Sequence, residues 1–136
     1  MTDSSVQLTE EEIKKYDITV VPLSVTIDGK TYVDGVDITR RDFIERMDEG
    51  SDVPKTSQPP IGRFVETIKK LTADGSEVLG IFLAKSLSGT IDAAKQAAQM
   101  VPDAKVVCHD SGYTDRSEGY EVLAAAKDAQ AGKSID

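Results

Sequence analysis

The stretch "VLGIFLAKSLSGTIDAAKQAAQM", residues 78–100, decides the fold. Val78–Ala84 is an unbroken apolar run, with the length and composition of a strand buried on both faces. "TIDAAKQAAQM" (90–100) then repeats Ile and Ala at helical spacing. Between the two lie Ser86, Ser88, Gly89 and Thr90, small hydrogen-bonding groups on a strand-to-helix loop. A helix that opens in such a loop presents unpaired backbone N–H groups and the positive end of its dipole. That combination suits an anion.

The pattern continues on both sides. Downstream, "AKVVCHDS" (104–111) reads as a second strand and "SEGYEVLAAAKDAQAG" (117–132) as a helix with Gly132 at its C′ position. Upstream, Pro60 opens a helix running to about Ala73 and stopped by Asp74-Gly75. Helix and strand alternate throughout this half, which predicts an α/β fold with a mostly parallel sheet covered by helices. The first half reads differently. Thr9 caps a helix over "EEEIKKYD", with Glu12 completing a capping box. "ITVVPLSVTI" (18–27) reads as one strand in which Pro22 marks a bulge or an edge. Asp28-Gly29 is a hairpin signal, returning through "KTYVDG". Thr39 caps a helix over residues 40–49, closed by Gly50. "SDVPKTSQPP" (51–60) reads as a loop stiffened by Pro54, Pro59 and Pro60.

At 136 residues the chain is expected to form one domain. Its 39% hydrophobic and 29% charged residues are an ordinary soluble composition. A net charge of −8 argues against nucleic acid and against an electrostatic hold on anionic lipid headgroups. Any bound anion must therefore be held by local donors. The single cysteine, Cys108, allows no internal disulfide and fits a reducing compartment. With no run of transmembrane length and no signal-like N-terminus, the cytoplasm is the expected location, without stable membrane insertion. The chain opens directly in "TDSS", a loop-like cluster, and closes on "GKSID", where Ser134 resembles the cap of a helix that does not follow. The expectation is a domain (1–136) truncated at both ends.

Hydroxyl clusters stand at Thr2-Asp3-Ser4-Ser5, Thr56-Ser57-Gln58 and Ser86–Thr90, with Asp110-Ser111 after the last strand. In a parallel α/β sheet the loops at the carboxyl ends of the strands converge on one crevice, where ligands bind. The plainer alternative is that Ser4, Ser88 and Ser111 merely cap helices. "TSQPP" resists that alternative, because two prolines hold its polar groups still before they meet anything.

Hydrolytic and metal chemistry find little support. His109-Asp110-Ser111 holds the three residue types of a catalytic triad, but adjacent strand residues face opposite ways and cannot converge. One His and one Cys do not make a closed zinc site. Asp3 with Asp110 could hold Mg²⁺ only if folding brought them together. "VDGVD" (33–37) lacks the ligand pattern of a calcium loop and reads as a solvated turn. No cofactor is implied.

Taken in order, "TDSSVQLTEEEIKKYDITVVPLSVTIDGKTYVDG", "KTSQPP", "SLSGTIDAA" and "VVCHDSGYTDRSEGY" resemble the N-terminal domain of DegV-family proteins over nearly the whole chain. The pairing of "TSQP" with "LSGT" carries most of the specificity. The resemblance implies a two-domain protein that binds a long-chain fatty acid between its domains, the second domain being absent here. It also implies kinship with FakB-type subunits, which present the acid to a separate fatty acid kinase for phosphorylation and are not themselves catalytic. By resemblance the carboxylate would be held by Thr56 and Ser88, with Ser57, Gly89 and Thr90 beside them. The family's apolar strand before "TDS" is missing here, and His109 stands where an apolar residue is common. Two rivals stay open: a phosphatase or esterase using Ser88 or Ser4, for which no base is placed although Lys85 is near Ser88, and a non-binding structural or regulatory domain.

Overall fold

The computed structural model describes residues 1–49 and 53–136. Strands β1 (Thr2–Asp3) and β2 (Val20–Val21) run parallel, with Thr2 opposite Val20 and Asp3 opposite Val21. Strands β6 (Val78–Phe82) and β7 (Val106–Asp110) run parallel in their turn, with Gly80 opposite Cys108. Met1 joins the pairs, its amine donating to Leu79 O at 2.9 Å and its carbonyl accepting from Ile81 N at 3.0 Å. The strands therefore lie in the order β2-β1-β6-β7. The expected parallel sheet is present.

Side chains alternate across this sheet with the two-residue period of a strand. Val21 and Phe82 face helices α3 (Ile61–Leu71) and α4 (Thr90–Gln99), where they pack with Phe64, Ile68, Ile91 and Ala94. The rings of Phe64 and Phe82 meet edge to face, 5.6 Å between centroids. The neighbours Val20 and Ile81 point the other way, toward α1 (Glu10–Lys15) and α5 (Asp115–Gln130), with Ile18, Val122 and Leu123. Small Ala residues at positions 93, 94 and 97 let α4 approach closely. Thr9 and Glu12 form the anticipated capping box, and Thr39 forms one with Asp42 at the head of α2 (Arg40–Asp48).

A second, antiparallel sheet stands beside the first, with β3 (Ser24–Ile27) between β4 (Lys30–Val33) and β5 (Lys55–Ser57). Asp28 and Gly29 turn the β3–β4 hairpin with φ of +52° and +71°, the paired left-handed geometry of a type I′ turn. Helix α2 covers Tyr32, its Arg46 reaching the Tyr32 hydroxyl at 3.2 Å.

Three local readings need correction. "ITVVPLSVTI" is two strands, not one: Pro22 has no N–H for the ladder, and the chain leaves the parallel sheet there to start the antiparallel one. "TDSS" does not open in a loop, because Thr2–Asp3 is a fully buried strand. "SDVPKTSQPP" is not all loop, because Lys55–Ser57 pairs with β3. Gly50, read as the stop of α2, and Ser51-Asp52 lie outside the described residues.

Candidate functional site

Two kinds of hydroxyl lie at the carboxyl ends of the parallel strands. The first kind is already bonded within the protein. Ser4 Oγ donates to Asp34 Oδ2 at 2.6 Å and accepts from Leu23 N at 3.0 Å, tying β1 to the start of the antiparallel sheet. Ser111 Oγ donates to Phe82 O at 2.8 Å and accepts from Tyr113 N, closing the turn after β7. Thr2 and Ser5 donate to Glu118, at 3.2 and 2.8 Å. None of these caps a helix, so the capping alternative fails for Ser4 and Ser111. Thr9 caps α1, and Thr114 occupies the cap position of α5 without a side-chain bond.

The second kind belongs to the two loops singled out in the sequence. Helix α4 begins at Thr90 with Gly89 in the cap position, which has no side chain to cap it, and Asp92 lies in its first turn. Ser88 Oγ lies 2.9 Å from Thr90 Oγ1 and accepts from Thr90 N at 3.3 Å. Thr90 is fully buried while Ser88 is half-buried, so Thr90 fixes the Ser88 hydroxyl from beneath. Thr56 and Ser57 are exposed on β5, opposite Val25 and Ser24. Directly opposed residues share a sheet face. Thr56 therefore continues the face of Val25 and Tyr32, uncovered at the edge of that sheet.

Gln58 brings the loops together. A Cβ built on Gly89 would collide with Gln58 Oε1, so the glycine is what lets the "TSQ" side chain lie against the α4 entrance. Apolar side chains border this place: Leu87, between the two serines, is 67% exposed and Tyr113 58%. Ala84 links them, donating to Tyr113 O at 2.7 Å and accepting from Leu87 N at 2.9 Å.

The arrangement offers hydroxyl and amide donors. The Lys85 ammonium is 3.1 Å from Asp92, an ion pair. His109 Nε2 pairs with Glu121 Oε2 at 3.2 Å on the exposed face of β7. Asp110 instead accepts from Lys85 N and Gly112 N, which hold its carboxyl below the usual range, while Ser111 turns inward. The three residues do not converge. Asp3 accepts from Ser5 N and Leu83 N at 2.9 Å each, and no cluster of three or more His, Cys, Asp or Glu side chains that could hold a metal occurs among the described residues. No described helix is long and apolar enough to cross a membrane.

Glu118 escaped the sequence reading. An acid in the first turn of a helix looks like an ordinary complement to the dipole. Only the packing of α5 under β1 shows it fully buried, where desolvation, then the neighbouring Asp3 charge, push its carboxyl up to about 8. Burial also raises Asp3, although the Leu83 and Ser5 amides oppose the shift.

Against known proteins, the profile of the DegV family, described as an uncharacterised protein family, matches residues 1–136. A DegV domain-containing protein of Listeria innocua is 49% identical over 132 residues, covering 97% of this chain and 47% of the relative. One from Streptococcus pneumoniae is 43% identical over 136 residues, covering 100% of this chain and 48% of its own length. The chain thus spans about half the length of these curated relatives. Among solved structures, a stearic acid-binding protein from Eubacterium ventriosum superposes with a TM-score of 0.91 at 31% identity, over 98% of this chain and 48% of that one. A fatty-acid-binding DegV family protein from Thermus thermophilus gives 0.90 at 30% identity over the same shares, 98% and 48%. A family match along all 136 residues, with a fold that superposes over 98% of the chain, leaves one assignment: the chain belongs to the DegV family.

Proposed function

We propose that this chain is the carboxylate-binding half of a fatty-acid carrier. The observation that carries the reading is the meeting of two hydroxyl loops, Thr56–Gln58 and Ser88–Thr90, at the start of α4, with exposed Leu87 and Tyr113 nearby. Thr56 and Ser88 bond the carboxylate, Ser57 stands beside Thr56, and Gly89 and Thr90 shape the helix start. Neutral donors hold an anion at modest strength and leave its oxygens chemically available, unlike an Arg or Lys clamp. Such a site suits an acid that is handed on, and a kinase that phosphorylates the bound acid in the cytoplasm is the partner this reading implies. The relatives that bind fatty acids are about twice as long, so the second wall around the acyl chain comes from a further domain.

Organic extraction of the purified protein followed by mass spectrometry tests the reading. Long-chain fatty acid recovered from wild type and lost in a Thr56→Ala, Ser88→Ala double variant is the expected result. Release of p-nitrophenol from acyl or phosphoryl esters that disappears in Ser88→Ala would contradict it, because it requires an activated serine.

A further inference from the structure

Asp3 and Glu118 form a carboxyl pair at the first strand, both fully buried. Glu118 Oε2 receives the Ser5 hydroxyl at 2.8 Å and Oε1 the Thr2 hydroxyl at 3.2 Å. Ser5 also serves Asp3, through its N–H to Oδ1 at 2.9 Å. Asp3 has a second donor, Leu83 N, whereas Glu118 has hydroxyls alone. The charges that face Glu118 are Asp3 from β1 and Asp115 from its own helix, both negative. Arg116 is turned away, bidentate on Glu12 at 2.7 and 2.6 Å.

We infer that Glu118 is held as a carboxylic acid beside the Asp3 carboxylate, the two bridged by the Ser5 hydroxyl and N–H, and that this hydrogen-bond chain keeps the two hydroxyl loops in register. The link to the loops is direct. Asp3 holds Leu83 N, at the root of the turn that carries Ser88. Ser4, next to Ser5, holds Leu23 N and Asp34 on either side of the hairpin whose β3 strand pairs with the Thr56 strand. Glu118 is thus a positioning residue. Removing its proton leaves two negative charges side by side in a dry site, Asp3 with the Ser5 and Leu83 amides and Glu118 with hydroxyls alone. Both loops lose a fixed point. The effect on ligand affinity rests on the carrier reading; the proton and its hydrogen-bond chain do not.

The test is a carboxyl-detected NMR titration of the protein from pH 5 to 10, following the Glu118 side chain and the Ser5 and Leu83 amides. Glu118 should remain protonated at pH 7 and titrate near 8, with both amides moving at the same midpoint. In Glu118→Gln, which keeps a neutral group of the same shape, the amides should lose that step. Melting adds a thermodynamic arm. The folded state holds the proton above the ordinary value of 4.5, so stability falls as pH rises from there to about 8 and then levels. The Met1 amine, pushed down to about 6 by burial, contributes a slope of opposite sign. It cancels when wild type is compared with Glu118→Gln. A Glu118 already ionised at pH 7, or a Leu83 amide that stays silent through the titration, would overturn the inference, and wild type alone decides this if the variant fails to fold. Fatty-acid affinity should fall several-fold from pH 7 to 9 in wild type and not in Glu118→Gln. An amide step without any fatty-acid binding would sink the carrier reading while leaving the proton in place.

Discussion

Ser4 and Thr56 are both hydroxyls on the border between the parallel and antiparallel sheets, yet they stand in opposite conditions. Ser4 is a strut: it donates to a carboxylate, accepts from a backbone N–H, and is shielded from solvent on much of its surface. Thr56 sits on an edge strand, exposed, on the face that Val25 and Tyr32 line further in. The same chemical group holds the frame in one place and is available to a ligand in the other. What separates them is which hydrogen bonds the fold has already completed, and residue type carries no trace of that.

The sharpest way to break this contrast is the double variant Thr56→Ala, Ser88→Ala. Each hydroxyl bonded to a charged group contributes about 1.5–3 kcal/mol, so fatty-acid affinity should fall by about 3–6 kcal/mol, a hundredfold or more. Titration of a fluorescent fatty acid measures it. Of the two, Thr56→Ala should leave the melting temperature unchanged, whereas Ser88→Ala also deprives buried Thr90 of its partner and should cost about 1 kcal/mol of stability.

Ser4→Ala should show the reverse pattern. It removes a bond to a carboxylate and leaves Leu23 N without its acceptor, for a loss of about 2–3 kcal/mol in urea unfolding. If Ser4→Ala were neutral for stability and Thr56→Ala costly, the distinction between strut and site would be wrong. Smaller still is Gly89→Ala. The new methyl meets only the end of the Gln58 side chain, which can swing away, so stability should change by less than about 1 kcal/mol. Binding should weaken with Gly89→Ala and partly recover when Gln58→Ala is added, a non-additive cycle that reports the contact between the loops. At the bottom of the scale, the exposed Thr26–Thr31 hydroxyl pair across the hairpin, 2.9 Å apart, should contribute only about 0.2–1 kcal/mol when either is changed to Ala.

Local signals carried much of this architecture. The capping box at Thr9, the Asp28-Gly29 turn, the Thr39 cap and the apolar β6 strand all follow from neighbouring residues, and all are present. What escaped depends on distant partners. Lys55–Ser57 has no apolar alternation, because an exposed three-residue edge strand buries nothing; only pairing with β3 makes it a strand. Thr2–Asp3 is too short to show a period, and its polar side chains are buried because Glu118 and Leu83 N are waiting for them. The break at Pro22 was legible, but its meaning, a change of sheet, was not. At the site, the identity of the two loops could be read from their hydroxyls and prolines. Their contact through Gln58 and Gly89 could not, since it joins segments about thirty residues apart.

The proposed carboxylate lies between those two loops. The direct measurement is the amide spectrum of the protein during titration with a long-chain fatty acid and, separately, with its methyl ester. The amides of Thr56, Ser57, Ser88, Gly89 and Thr90 should move together with the acid and much less with the ester, whose headgroup carries no charge. Shifts confined to the groove lined by Ala98, Ala104, Val106 and Cys108, with the hydroxyl loops unmoved, would contradict it.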